Sequence, residues 1–552
     1  MWAHWTKLIS DTEQRTDTFL ALQNRETGSP DFGSLTLEFG YPDPKPTLHF
    51  GASAISVYLC SDSRHHRNPA IPAAYEAALT YAETVQNHDG TFDYLPCNFQ
   101  SPPDTAFIIN RVVTTHDLIA KTREPGLVPL LPRIAALIEK AGRGMANGGF
   151  HTPNHRWALA SCLSSVSRIT GNSWFSNQAE AYLREGIDGN QDGEYAERSA
   201  GGYNKVNNDQ MILLSQERQD PGYLAYVDRN LQMMLTYVDP DHSIFTNNST
   251  RQDRGVKVFL EEYFSNYLLV GKALGKPLYL AVAKRILDDA ILAGRMAPDC
   301  FDTILLHFGK LDYGDPLPPI PTSFEKLYKD SGIVRVGRGD WTFSLLQNAG
   351  RFLYFQAGKV TASLKLGVGF FERREFQATS LVHQGEVYVL TMEAKGWYYL
   401  PFPEAPPTND WWAMDHKKRP LAPGPVLTFT ITVKMRPEGD GIEVNIDVAG
   451  WEGVPLRFEI ALTPGTEVDN DHFLVEGRPE EAILAKSGMV RVRRGTDVLA
   501  FGPAFADHRN IGGTYGSDTR SRDHFTAYCT GFSPLNRTLV FRRAPAREGL
   551  DP

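Results

Sequence analysis

The sequence predicts two successive parts, an all-α domain followed by an all-β domain. Three observations carry this. Apolar residues recur at mixed three- and four-residue spacing through the first ~310 positions, a proline-dense break follows, and the period then changes to two.

The helical pattern is clear at 71–86 and recurs at 105–121, 127–141, 156–170, 174–187, 206–217, 222–237, 256–274 and 277–294. Many of these segments begin near Asp, Asn, Ser or Pro and end near Gly, as capped helices do. Roughly ten helices with moderate loops form an array of helical hairpins. At 312–322 four prolines fall within eleven residues, a density that stops a helix and stiffens a connector. The expected division is therefore a helical domain over 1–311, a linker over 312–323 and a strand domain over 324–552. After the linker, 333–338, 341–345, 427–433 and 443–448 alternate apolar and polar residues. Short strands punctuated by Gly and Pro predict antiparallel sheets in a sandwich. Segregated helices and strands exclude the Rossmann and TIM patterns. No P-loop appears, and no GxGxxG opens a helix, which disfavours a nucleotide-dependent enzyme.

Composition narrows the partners. With 42% hydrophobic and 22% charged residues over 552 positions, the chain is globular rather than disordered. The net charge of −9 argues against nucleic acid and anionic membranes as partners. The densest basic run is only Lys417-Lys418-Arg419. Five scattered cysteines without a CxxC pair do not make a disulfide framework or a zinc finger. No segment reaches about 18 apolar residues, so no membrane helix is expected. The first residues lack an apolar leader, which places the chain in the cytoplasm, or in the periplasm or outside the cell if a leader has been removed.

Two polar clusters in the helical part carry candidate chemistry. The first is 147–157, a Gly-Gly turn followed by His151, Asn154, His155, Arg156 and Trp157 at the start of a helix. Asn154 is a candidate helix cap, with His155 in the first turn. The second is 188–204, too polar for core and rich in Tyr and Glu, as functional loops are. Asp188, Asn190 and Asp192 have the spacing of a calcium loop, but Ser199 stands where its Glu belongs, so that reading is disfavoured.

These two clusters resemble the motif of the heparinase II/III-like polysaccharide lyases, which include alginate, heparin and other uronate lyases. That motif is an Asn-His pair followed about fifty residues later by an Asp-Gly-x-x-x-Glu-x-Ser stretch ending in Tyr. Here Asn154-His155 precede Asp192-Gly193, Glu197, Ser199 and Tyr203 in that order. Gly201-Gly202 push Tyr203 one position later than the pattern, and Asn204 follows it where His is usual. The resemblance implies an N-terminal incomplete (α/α) toroid followed by a C-terminal antiparallel β-sandwich. It further implies β-elimination on a 4-linked uronic-acid glycan, so the partner is an anionic poly- or oligosaccharide, with a homo-oligomer left open.

Elimination removes the C5 proton beside a carboxylate and expels the 4-linked sugar. The carboxylate must be neutralised, a base must take the proton, and an acid must protonate the leaving oxygen. The resemblance implies Asn154 as neutraliser, His155 as base or neutraliser, and Tyr203 as general acid, or as both acid and base. Arg156 is a further carboxylate partner, although one residue along a helix turns it about 100° from His155. Asn98, Gln100, Arg111 and Glu197 are candidate substrate-binding residues, and Asp104 is a candidate helix cap. In the strand part, 409–419 holds Trp411 and Trp412 beside a basic run, which suits sugar stacking. The family often adds a histidine from this domain to the cleft; His416 is the first choice and His383 the second. The reaction requires no cofactor. Some relatives hold a structural divalent metal in the β-domain; the single histidines His472, His508 and His524 are not matched to its ligands. Two other readings stand beside the lyase. One is an α/α-toroid glycoside hydrolase using carboxylates among Asp104, Asp192, Glu194 and Glu197; the other is a glycan-binding protein without turnover.

Overall fold

The computed structural model describes residues 2–37, 39–512 and 521–545. The chain forms two compact units, Met1–Tyr237 with His242–Ile320, and Val238–Asp241 with Pro321–Pro552.

The first unit contains α1 (Trp2–Leu22), α2 (Pro44–Leu59), α3 (Ala70–Val85), α4 (Pro102–Thr122), α5 (Leu131–Ala146), α6 (Pro153–Thr170), α7 (Ser173–Leu183), α8 (Tyr203–Glu217), α9 (Gly222–Met234), α10 (Phe264–Ala273), α11 (Pro277–Leu292) and α12 (Phe301–Phe308). Helices α2, α4, α6, α8 and α10 pack each against the next, and each pairs with the odd-numbered helix that follows it. This is the inner and outer ring of an α/α toroid. Burial follows ring position. Outer α5 buries Ile134, Leu137, Ile138, Ala141 and Met145, one stripe at helical spacing. Inner α6 is buried continuously from Arg156 to Val166, because neighbours cover it on all sides.

Three helices carry no clear periodic signal. The buried face of α1 includes His4, Asp11, Thr12 and Thr16 among its apolar residues. Those polar groups are satisfied internally, as when the Thr12 hydroxyl donates to the Leu8 carbonyl and the Ala297 N–H donates to Asp11. The two prolines of α2 sit in its first turn, where the missing N–H costs nothing, and Asp43 caps it by accepting from the Lys45 N–H. Helix α12 has eight residues, too few for a pattern.

Two expected caps are corrected. Thr152, not Asn154, is the N-cap of α6, and its hydroxyl donates to Asn154 Oδ1 at 2.6 Å. Ser101, not Asp104, caps α4. Ser101 Oγ accepts from the Asp104 N–H at 3.3 Å while donating to the Asp104 carboxylate.

The second unit holds two nine-stranded sheets. One runs Ala482–Leu484, Phe525–Phe532, Pro455–Leu462, Val360–Phe370, Arg351–Ala357, Trp341–Leu346, Ile333–Arg338, Ser323–Tyr328, with Arg373–Glu375 pairing on Val360–Phe370. The other runs Ser380–Gln384, Val387–Tyr399, Leu421–Met435, Gly441–Gly450, Leu535–Arg543, Asp497–Gly502, Val490–Arg494, Thr466–Asp469, Leu474–Gly477. All neighbours are antiparallel except Ala482–Leu484 with Phe525–Phe532. The inward residues of both sheets meet in one core. Phe429 and Ile431 face it between Met392, Leu390, Val448 and Ile446 across the ladder, while Thr428, Thr430 and Thr432 point outward. Burying each such aliphatic or aromatic side chain stabilises the unit by about 1.5–3 kcal/mol. Within this unit Arg335 is buried against Asp239, to which it donates at 2.8 Å, and Thr342 donates to the same oxygen at 2.9 Å.

Candidate active site

In the helical unit three segments converge: the start of α6, the 188–204 loop entering α8, and the 246–256 loop. The second is anchored at Gly193. Its φ of +99° lies in the left-handed region, and a Cβ there would stand 2.4 Å from the Arg229 carbonyl oxygen, so only glycine fits. Asn230 then donates to the Gly193 carbonyl at 2.9 Å. Asp253 ties the second segment to the third, accepting from Ser199 Oγ at 2.9 Å, from the Gly201 N–H at 2.8 Å and from Ser249 Oγ. Ser199 Oγ also accepts from the Tyr203 N–H at 3.0 Å, which sets the first residue of α8.

Arg251 is the centre of the arrangement, and the sequence reading did not single it out. Its guanidinium lies 4.6 Å from the centre of the Tyr203 ring, and Nη2 donates to the Tyr203 hydroxyl at 3.3 Å. That hydroxyl in turn approaches Gln252 Oε1 at 3.5 Å. The hydrogen bond to Tyr203, more than any other influence, holds Arg251 firmly protonated. Its charge also acts on His155 and Glu197.

His155 lies in the first turn of α6, edge-on to Phe107 with ring centres 6.0 Å apart. Burial lowers its pKa below the usual histidine value; the Asp104 carboxylate opposes this, and His151 and Arg251 add to it. The ring is therefore neutral at neutral pH. The His151 N–H approaches Nδ1 at 3.5 Å, too long to fix the tautomer.

Buried polar groups without partners among the described residues gather on α6, α8 and the loop before α8. Asn154 is 1% exposed, and among the described residues its Nδ2 has no acceptor. Glu197 takes a 3.5 Å bond from Asn207 on one oxygen and nothing on the other. Burial raises its carboxyl above the ordinary range. Neither amide atom of buried Asn204 is bonded. Leaving such groups unmet costs about 1–3 kcal/mol each, so water or a ligand hydrogen-bonding here is favoured.

Other sequence-predicted residues are engaged elsewhere. The Arg156 guanidinium is buried against Glu185 and donates to the Gly186 carbonyl at 2.8 Å. Arg111 is held by Asp299 at 3.1 Å and Asp302 at 2.6 Å. Asn98 donates to Asp104 at 3.1 Å. Gln100 is exposed, with a left-handed backbone (φ 46°) fixed by its N–H donating to Asp93. Glu194 is buried and accepts from Asn248 at 2.9 Å.

In the strand unit the loop between Val387–Tyr399 and Leu421–Met435 is prefolded. His416 Nε2 donates to the Trp411 carbonyl at 2.7 Å, and its Nδ1 accepts from Arg419 Nε at 3.1 Å. Both ring nitrogens of His416 are thus used within the loop. Arg419 lies over Phe402 at 4.0 Å and Trp411 at 5.1 Å, while Trp412 is 89% exposed. His383 stacks on Tyr388 at 4.4 Å. Among the described residues no group of three or more His, Cys, Asp or Glu is placed to hold a metal ion, and no helix is long and apolar enough to cross a membrane.

One signal in the sequence pointed to the missed residues. The run from Thr246 to Asp253 is as polar as 188–204, and the same criterion selects it. Asn204 and Asn207 lie three positions apart on α8, a spacing that puts the two on one buried face of that helix.

No family model and no curated relative matches the sequence. Solved structures match over nearly the whole chain. Heparinase III aligns with TM-score 0.57 and 10% identity, covering 98% of this chain and 86% of that one. The chondroitin AC lyase of Streptomyces coelicolor A3, solved with chondroitin sulphate, aligns at 0.55 and 13%, covering 98% and 79%. A Paenibacillus xanthan lyase aligns at 0.60 and 10%, covering 99% and 57%. Toroid, sheets and these alignments agree on one conclusion: the chain has the heparinase-like polysaccharide lyase fold.

Proposed function

We propose that this protein is a polysaccharide lyase that cleaves a 4-linked uronic-acid glycan by β-elimination. The observation that carries the reading is Arg251 stacked on Tyr203 and donating to its hydroxyl, with the Arg251 charge also acting on His155. In this mechanism Asn154 Nδ2 donates to the substrate carboxylate and draws charge off the developing enolate. His155 takes the C5 proton. The C5–H electron pair becomes the C4–C5 double bond, the C4–O4 bond breaks, and O4 leaves with its electrons. The Tyr203 hydroxyl protonates O4, and Arg251 faces the oxygen on which negative charge then develops. Glu197 and Asn204 supply hydrogen-bonding groups to the sugar.

Of the four carboxylates a hydrolase could recruit, Glu194 accepts from Asn248 and Asp104 from Ser101, so that competing reading turns on Asp192 and Glu197. The test is ultraviolet absorbance during incubation with a panel of uronate polysaccharides and their oligosaccharides. A rise from unsaturated uronate on one substrate, reduced about 10²–10⁴-fold in Tyr203→Phe, is the predicted result. Reducing ends released without that rise, and undiminished in His155→Ala, would overturn it.

A further inference from the structure

The toroid encloses a cavity of about 340 Å³ between α2, α4, α8, α10 and α12. Its wall carries five basic side chains, and four are already balanced or neutral; burial disfavours the charged form of His307. Arg111 is paired with Asp299 and Asp302. Lys205 is paired with Asp209 at 3.0 Å and Glu262 at 3.7 Å. His49 donates Nε2–H to the Phe107 carbonyl at 3.3 Å, and its burial beside Arg111 and Lys45 disfavours the charged form. Lys45 is the exception: among the described residues its ammonium has no carboxylate within ion-pairing distance. The neighbouring Asp43 caps α2 through the Lys45 backbone N–H, and its charge acts on the Lys45 ammonium without an ion-pair contact. The Lys45 ammonium lies 5.8 Å from the centre of the Phe107 ring, the same ring whose edge meets His155. Deeper in the cavity, Asn110 gives its amide N–H to Gln210 while its Oδ1 is buried with no donor. The wall thus presents one ammonium without an ion pair and one acceptor without a donor, joined to the histidine through Phe107, which meets both Lys45 and His155.

Resting on the lyase reading, we propose that Lys45 binds an acidic group, carboxylate or sulfate, on the sugar unit next to the one that undergoes elimination, with Asn110 Oδ1 accepting from a hydroxyl of that unit. Lys45 is thereby a specificity-determining residue, selecting chains in which neighbouring units are both charged. An unpaired ammonium in a partly enclosed wall is stabilised by a counter-anion, and a hydroxyl-rich unit meets the open acceptor.

The test is calorimetric binding of three tetrasaccharides to Tyr203→Phe protein, with Lys45 intact or replaced by Met. A homopolymeric glucuronate probe carries a carboxylate on every unit, a chondroitin sulfate probe carries sulfate on the neighbouring unit, and a hyaluronan probe has a neutral neighbour. Lys45→Met should weaken at least one of the first two at least tenfold and hyaluronan less than twofold, and Lys45→Arg should restore most of the loss. Which probe responds identifies the acidic group. Lys45 has no ion pair to lose, so the melting temperature should not move. An equal loss on all three probes, no loss on any, or no binding of the charged probes overturns the proposal. Lys45-dependent binding in a protein that yields no unsaturated product with Tyr203 intact would sink the lyase reading and leave this subsite standing.

Discussion

Arg251→Met is the perturbation that bears most directly on how the site works. The structure gives this side chain two interactions with Tyr203: a charge-assisted hydrogen bond at 3.3 Å and a ring contact at 4.6 Å. In the proposed mechanism both strengthen as the phenol releases its proton to the leaving oxygen. A hydrogen bond to a charged group is worth about 1.5–3 kcal/mol. At ~1.4 kcal/mol per tenfold, its loss lowers kcat roughly 10- to 150-fold. The ring contact adds about 0.5–1 kcal/mol at a half-exposed position. Because the interaction grows in the transition state, the loss belongs in kcat rather than KM. Arg251→Lys keeps the charge but not the planar fork, so it should recover only part of the rate. The assay is initial-rate ultraviolet absorbance across substrate concentrations. Unchanged kcat with raised KM would refute the reasoning, because it would make Arg251 a ground-state contact.

Three further outcomes follow from the same geometry. The acid limb of kcat/KM should reflect His155 and lie below the usual histidine pKa. Arg251 lowers that pKa and Asp104 raises it, so Arg251→Met should move the limb to higher pH and Asp104→Asn to lower pH, read from pH–rate profiles. The fold itself should lose stability as pH falls from 6.5 toward about 3, because His49 is neutral in the native state with its pKa lowered to about 3, chiefly by burial. The unfolded chain takes up that proton first, a linkage worth up to about 5 kcal/mol, and His49→Gln should flatten the pH dependence of the denaturation midpoint. In the strand unit, Arg335→Met strands the Asp239 carboxylate in a buried site and should cost about 3–5 kcal/mol in chemical denaturation, much of which Arg335→Met with Asp239→Leu should recover.

How much of this was legible in the sequence depended on where each signal is encoded. The order of helical and strand parts was visible because periodicity is local, and it survives in α5 and in the strand 421–435, each with one clean buried face. It failed for α1, whose buried face is interrupted by polar residues that find partners far along the chain, such as His4 with Asp288. The Asn-His, Glu and Tyr residues of the site were found because they sit in two dense polar runs. Arg251 was missed because its importance lies in reaching Tyr203 across 48 positions, which spacing within one run cannot reveal. Arg111 and Arg156 illustrate the opposite failure. Both are of the right type for a carboxylate, but Asp299 and Asp302, and Glu185, are brought to them only by the fold. Val238–Asp241 joins the strand unit because Asp239 serves Arg335, a pairing nearly a hundred residues apart in sequence and invisible to any local pattern.

The central claim, that this site eliminates rather than hydrolyses, is tested most directly by the atoms of the product. The measurement is mass spectrometry of oligosaccharide products formed in heavy-oxygen water by the unmodified protein. Elimination breaks the C4–O4 bond without adding water, so the account predicts fragments that together weigh the same as the substrate and carry no label at the new ends. Fragments heavier by one water, with heavy oxygen at the new reducing end, would contradict it.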